Sequence, residues 1–494
     1  MSTTSPQVPL TGRVSLITLF PSIIFPMFIG MIGETIVATA LPAIAASLGR
    51  VELIAWVIVT YLISLSITAP VYGRLGDAFG RRRMMVVALL ITIVGSILCA
   101  ASTTMEMLIA ARTLQGLGGG GLITLSHALI AQSVPPRDRV RFHGYISAIG
   151  FGASAMGPVV GGFLTDQFGW PSVFLINVPL ALVGVMLVFR LPARMTPFEP
   201  FRFDLPGLVL FASFIWALLI MVEEVRQPLS ARVWFAIVLS LVVLLSLVLL
   251  AGRERRASNP IFPPSLMKNP TVWRCNAMAI CHGAYFVSML TFTPIYLRVV
   301  RDQSVIEIGL LMLPITFGSG LGSLVTGQIV SRIGRSAIFP SVGLAAFAVL
   351  LAILGLYAES MSTAAFAWYL GAAALFTGTV MGIVQVTVQA EVGTTMLGTS
   401  IGLISLSRAL GGATGTALIG ATLFATLAAT GVEISTELQA LLQGGSSDLS
   451  ALGHASEAEI RGEVAFAFHG VFLLIALYAA IGSALAWTLP RRTI

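Results

Sequence analysis

Apolar residues run along this chain in blocks of about twenty, separated by short polar segments rich in arginine and glycine. Blocks of that length fit helices crossing about 30 Å of hydrocarbon, whereas barrel strands alternate and run to about ten residues. They predict fourteen spans, near 16–46, 51–73, 84–102, 106–130, 141–164, 170–190 and 204–222, then 231–252, 271–297, 306–330, 336–357, 364–390, 399–428 and 464–489. The expected class is an all-α integral membrane protein. Its first span carries an acid, Glu34, within "FPMFIGMIGETIVATALP" (25–42). An ionised carboxylate at the bilayer centre costs on the order of 3 kcal/mol, so this one is either used or well hidden.

Composition agrees with the pattern. Hydrophobic residues make up 56% of the 494 positions and charged residues 10%, with a mean hydropathy of +0.95. Soluble domains are about a quarter charged, so this chain cannot cover itself with polar surface in water. Lys268 is the only lysine and lies in no glycine-rich loop, which excludes a Walker A phosphate site and drive by ATP. Cys99, Cys275 and Cys281 all fall in apolar runs, so neither a structural disulfide nor a metal site is expected. Clustered His or Cys ligands, H-E-x-x-H and paired intramembrane carboxylates do not occur, and the reading is therefore not an enzyme. The stretch from Leu16 to Ala46 is too long for the apolar core of a signal peptide and is expected to remain as the first span.

Charge sets the orientation. With the amino terminus inside, roughly 20 of the 28 Lys and Arg residues fall in inside segments, among them "GRRR" (80–83), "RDRVR" (137–141) and "RERR" (253–256). The positive-inside rule then predicts both termini cytoplasmic, and the absence of a usable N-x-Ser/Thr sequon fits a bacterial inner membrane. The chain also echoes itself. "GRLGDAFGR" (73–81) returns as "GQIVSRIGR" (327–335), and "GASAMGPVVGG" (152–162) as "LSRALGGATGT" (406–416). Both echoes are offset by the same distance, which predicts two related six-span bundles, 1–190 and 258–494, around an inserted pair of spans in 191–257. The outside segment 429–463 holds amphipathic stretches such as "VEISTELQALL", expected to form a small surface helix. Repeated halves around a midplane site are the architecture of secondary transporters.

The motifs narrow this further. In "GRLGDAFGRRR" (73–83), Gly73, Gly76 and Gly80 permit close backbone approach, and Asp77 can cap the following helix or pair with Arg81. The spacing closely resembles the signature loop of the major facilitator superfamily. By that resemblance Gly73, Asp77, Gly80, Arg81 and Arg82 form a conformational latch on the cytoplasmic side. "RTLQGLGGGG" (112–121) resembles the Arg-containing fourth-span motif of drug/proton antiporters, with Arg112 tied to proton transfer. "GASAMGPVVGG" resembles their fifth-span antiporter motif, with Gly152, Gly157, Pro158, Gly161 and Gly162. "ETIVATALP" (34–42) resembles the first-span motif of the fourteen-span drug/proton antiporters, with Glu34 for the usual Asp and Thr39 for the usual Asn. The resemblance implies a major facilitator fold of two pseudo-symmetric six-helix bundles plus two extra transmembrane helices.

Glu34 then has two readings. It is a structural partner of Arg112, or it gains and loses a proton through the cycle as its distance from Arg112 changes. On a helix Glu34 shares a face with Met27, Gly30 and Ala38, which points to a neighbouring helix or a cavity. His127, His282, Gln385, Gln389 and Arg408 are the other informative polar residues within spans. Gln385 and Gln389, at i and i+4, either bond between helices or meet substrate. Tyr61, His282, Tyr285, Phe286, Met289 and Arg408 complete the candidate substrate contacts. The expected function is a proton-coupled antiporter exporting hydrophobic or amphipathic small molecules, a monomer among lipids, with no cofactor and no nucleic-acid partner. The alternative keeps the fold and moves a lipid, a fatty acid or an anionic metabolite, for which Arg408 and His282 are suited.

Overall fold

A computed structural model describes residues 16–50, 53–54, 56–191, 204–224, 233–257, 260–261, 263–393, 396–430, 457–490 and 493. The stretch "VEISTELQALL", the arginines at 491 and 492 and the side chain of Glu34 lie outside the described residues.

The first bundle holds α1 (Leu16–Thr35) and its continuation α2 (Leu41–Leu48), α3 (Trp56–Phe79), α4 (Arg81–Ala100) and α5 (Met105–Ser133). It closes with α6 (Pro136–Phe168) and the short α7 (Ser172–Leu175), continued by α8 (Asn177–Phe189). Two further helices follow, α9 (Leu205–Glu224) and α10 (Val233–Glu254). The second bundle opens with α11 (Pro264–Lys268), α12 (Pro270–Val299), α13 (Val305–Ile333) and α14 (Ile338–Tyr357). Its remaining helices are α15 (Thr363–Thr377) with its continuation α16 (Met381–Val392), α17 (Leu397–Thr430) and α18 (Glu457–Trp487). Eleven of the described helical stretches are long and apolar enough to cross a membrane, and α1 and α9 contribute the shorter apolar runs Phe20–Gly33 and Leu205–Met221. Arg112, Gln115 and the glycine run make α5 less apolar, yet its 29 residues are ample for a crossing. The chain is thus a multi-pass membrane protein, and the crossings fall where the apolar blocks place them.

Three expected spans are interrupted. The first breaks between Thr35 and Leu41, where the Thr35 and Thr39 hydroxyls bond back to the Ile32 and Ile36 carbonyls. Such back-bonding competes with the helical ladder, and Pro42 starts a new helix because its ring suits the first turn. The break falls one residue after Glu34. Ala38 therefore sits in a turn, and the expected helical face of Met27, Gly30 and Glu34 stops short of it. The sixth span is divided between α7 and α8, and the twelfth between α15 and α16 at Gly378–Val380.

Apolar burial organises each half. The second bundle centres on Tyr285, Tyr296, Phe347, Phe366, Phe468 and Phe472, stacked or edge-on at 4.9–6.1 Å. Edge-to-face geometry aligns ring edges with ring faces and adds to the area they bury. The first bundle packs around Leu89, Leu122 and Leu125 toward one end, and around Ile36, Ile44, Val173 and Phe174 toward the other. The outer girdle is exposed hydrocarbon, as on α10, where Leu241, Leu244, Leu245 and Val248 are each 60% exposed. Only a lipid solvent accommodates such a surface.

Glycines set how near the helices come. A side chain at Gly116 or Gly120 of α5 would strike the Tyr61 and Leu65 carbonyls of α3, and one at Gly118 the Ala88 carbonyl of α4. The run "GLGGGG" thus wedges α5 between two backbones, the packing mode that membranes favour. The two bundles meet along α3 with α17 and α6 with α13. The sequence echo maps onto this contact. Gly73 abuts the Gly398 backbone across one seam, and Gly327 lies 2.8 Å, from a would-be Cβ, to the Val140 carbonyl across the other.

Candidate functional site

Arg112 lies about 10 Å from the start of α5, at 1.5 Å per residue, and its side chain is fully buried. Among the described residues three acceptors surround the guanidinium. Nε donates to the Val57 carbonyl at 3.0 Å, Nη1 to Gln115 Oε1 at 2.6 Å and Nη2 to the Gly33 carbonyl at 3.3 Å. The Tyr61 ring sits 4.1 Å beneath it and the Phe174 ring 5.8 Å away. Gln115 is itself held by donating to Ser96 Oγ at 2.8 Å, and Tyr61 donates its hydroxyl to the Gly30 carbonyl at 3.1 Å. An arginine within hydrocarbon costs about 2.5–3.5 kcal/mol, which these charge-assisted bonds and ring faces offset. The first and fourth spans are adjacent, since a Cβ at Gly30 would lie 3.1 Å from Ile123 of α5. Arg112 therefore reaches the backbone next to Glu34, at the junction of α1, α3 and α5.

The fifth-span glycines hold the other side of that junction. A side chain at Gly157 would collide with the Thr35 hydroxyl, and one at Gly161 with the Ile36 carbonyl. So α6 presses on α1 at its break, beside Glu34. Gly152 and Gly162 face open space. The repeat reappears in the second bundle: Gly411 abuts the Ile280 carbonyl and Gly415 meets Ala284, so α17 packs on α12 as α6 packs on α1.

At the arginine-rich end Asp77 crosses between the bundles. Its carboxylate accepts from Gly398 N at 3.1 Å, from Thr399 N at 3.0 Å and from the Thr399 hydroxyl at 3.2 Å. These are the unsatisfied first-turn donors of α17, where the helix dipole also favours an anion. Sequence reasoning offered Asp77 as a cap for the following helix; it instead caps one 321 residues further on. Arg81 braces it with a 2.7 Å ion pair and reaches Gln132 at 3.0 Å. Arg82 stays within its own bundle, donating to the Phe189 carbonyl at the end of α8. Gly80, at φ 92°, makes the turn from α3 into α4.

The remaining candidates scatter. Tyr61 lies beneath Arg112 as described. Tyr285 and Met289 are fully buried in the core of the second bundle. His282 packs on the Tyr285 and Phe286 rings at 5.1 and 5.4 Å. Gln385 and Gln389 are both buried, and Gln389 lies 3.4 Å from His143 of the opposite bundle. His143 stacks on His127 at 5.1 Å. Sequence reasoning did not single out His143, in "RVRFHGY", near the start of the expected fifth span; α6 starts earlier, and the residue is 1% exposed. Gln115 was missed too, although it stands one turn from Arg112.

The chain is similar to known transporters. The Major Facilitator Superfamily description matches residues 23–416. An uncharacterized MFS-type transporter of Mycobacterium tuberculosis (strain ATCC 25618 / H37Rv) is 32% identical over 410 residues, which cover 83% of this chain and 59% of that protein. The chain thus spans less than two thirds of that relative's length. The multidrug transporter protein MdtP of Bacillus subtilis (strain 168) is 29% identical over 399 residues, covering 80% of this chain and 73% of that one. Among solved structures, the proton:xylose symporter XylE superposes with a TM-score of 0.62 at 12% identity, over 96% of each chain. With the matched span, the two bundles and the crossing carboxylate all in place, the chain belongs to the major facilitator superfamily.

Proposed function

We propose that this protein is a proton-coupled antiporter that exports hydrophobic or amphipathic small molecules by alternating access. Its arginine-rich face is cytoplasmic, both termini lie inside, and the membrane is the bacterial inner membrane. The observation that carries the reading is the buried Arg112, bonded to the carbonyl of Gly33 and hence beside Glu34, where α6 presses on the break in α1. Glu34 takes a proton from outside and releases it inside, and Arg112 exchanges its hold as α1 and α5 move against each other. One charge crossing 100 mV provides about 2.3 kcal/mol, which sustains a gradient of roughly fiftyfold in a neutral cargo. Relatives named for multidrug transport support export. The Asp77 contact closes the arginine-rich side in the described conformation.

The test is efflux of lipophilic dyes, cationic, neutral and anionic, from energised cells expressing wild type or Glu34→Gln at equal levels. Wild type expels at least one dye, an uncoupler stops it, and the variant loses uphill efflux. A Glu34→Gln protein that pumps as wild type does would falsify the coupling role.

A further inference from the structure

One intramembrane cation stands apart from this machinery. Arg408 lies about 17 Å into α17, near the bilayer midplane, and is half-buried. Among the described residues its side chain makes no ion pair and no hydrogen bond, whereas Arg112 spends its donors on three protein acceptors. Its position is fixed by backbone. A side chain at Gly283 would collide with the Arg408 carbonyl, so the backbone at Arg408 abuts α12 one residue from His282. Across the seam between bundles, Ala128 and Ala131 of α5 pack on Leu397 and Ile401 of α17, which brings His127 toward the same arginine.

Both histidines are more than nine-tenths buried, and each leaves Nδ1 without a partner. Behind them His143 Nδ1 and Gln389 Oε1 are also unmatched. A guanidinium keeps its charge, and an uncommitted one in hydrocarbon is costly unless a ligand supplies the anion. The neighbouring helices contribute two imidazoles, each able to present an N–H, and no described carboxylate pairs with Arg408. The Phe286 ring stacked on His282 adds an apolar wall. Such a setting matches an acidic headgroup attached to an apolar chain, and it offers nothing to balance a cationic drug.

We propose that Arg408, with His127 and His282, is the headgroup site for the exported molecule, and that this molecule is a single-chain amphiphile carrying a carboxylate or a comparable acid. The proposal rests on the export reading above and names its cargo class. Arg408 pairs with the acid as the bundles close around it, and the histidines donate to the remaining oxygen lone pairs. Separation of the bundles toward the outside parts His127 from Arg408 and releases the ligand.

The experiment uses the purified full chain in phosphatidylcholine nanodiscs and equilibrium binding of dodecanoate, methyl dodecanoate and dodecyltrimethylammonium. Dodecanoate binds wild type at least about tenfold tighter than the ester or the ammonium, as a charge-assisted contact requires. Arg408→Gln brings acid and ester within about twofold of each other, while Arg408→Lys keeps most of the preference. His282→Phe, a milder change at a packed ring, narrows the preference about threefold and serves if Arg408→Gln does not fold. A wild type that binds ester as well as acid, or an Arg408→Gln protein that still prefers the acid, overturns the proposal. Added phosphatidylglycerol leaves the preference intact if the ligand is the free amphiphile; if it abolishes the preference, the site holds a bilayer lipid and the cargo assignment fails. Glu34→Gln keeps the preference. If uphill dodecanoate efflux proves insensitive to uncoupler while the preference persists, the antiport reading fails and the anion site stands.

Discussion

Single side chains in this protein act mainly by where they bring a charge. Arg112 spreads its guanidinium over donors aimed at α3, at α1 and along its own helix. Lysine is a compact point charge and cannot span those directions at once. Arg112→Lys is therefore expected to fold, to retain cargo binding and to lose most uphill efflux; efflux at wild-type rates would show that charge alone suffices. Asp77 works across the bundles instead. Asp77→Asn removes the charge from the α17 first turn and leaves Arg81 without its pair. Hydrogen bonds to charged groups contribute about 1.5–3 kcal/mol, so the population closed on the arginine-rich side should fall tenfold or more. Spin-label distances between the ends of α3 and α17 read this directly, and an unchanged distance distribution would count against the latch. Arg112 was legible from the chain because a charge within an apolar run has few innocent explanations. His143 was not, because a histidine at the edge of a span looks solvated until its helix is seen to start earlier.

Among the helices, the break in α1 and the glycines of α6 form one device. Gly157 and Gly161 let α6 reach the backbone of the α1 break around Ile36, while Gly162, one residue on, points into open space. This gives an internal control. Gly161→Leu forces the helices apart, costs about 1–3 kcal/mol through overpacking and abolishes transport. Gly162→Ala leaves both melting temperature and efflux at wild-type values. Equal effects from the two variants would mean that helix propensity, rather than the α1 contact, explains the motif. The same pairing recurs between α12 and α17, where Gly411 and Gly415 take the corresponding places. The motif itself could be read from the sequence; which of its five residues make the contact could not, because that depends on the rotation of α6 about its own axis.

For the molecule as a whole, two bundles are held together at the arginine-rich end by Gly73 against Gly398, Pro70 against Gly402 and Gly144 against Ser323. Backbone contacts this close are either made or broken, which suits a rocking mechanism with two discrete states. The inserted α9–α10 pair leans on this seam, with Phe211 and Ile215 packed on Leu406 of α17. Its two helices are tied together by Asp204, which accepts from Arg253 at 3.0 Å. All three cysteines are buried, at 0%, 0% and 5% exposure for Cys99, Cys275 and Cys281. The native protein in membranes should therefore react slowly with a maleimide, leaving a low background for single-cysteine accessibility mapping. Rapid labelling of Cys281 would place it on a water-filled path.

The chain alone carries the class of the protein, the place of its crossings, the duplication and the identity of its buried charges. Each of these is a one-dimensional signal: hydropathy over about twenty residues, arginine bias between spans, a repeat at constant offset. The partner of Asp77 and the seat of Gly157 and Gly161 had to wait for the packed molecule. These contacts join residues from helices remote in sequence, and helix rotation and seam register decide them. Hydropathy is blind to both, since any face of a helix satisfies the bilayer equally well and only packing chooses between them.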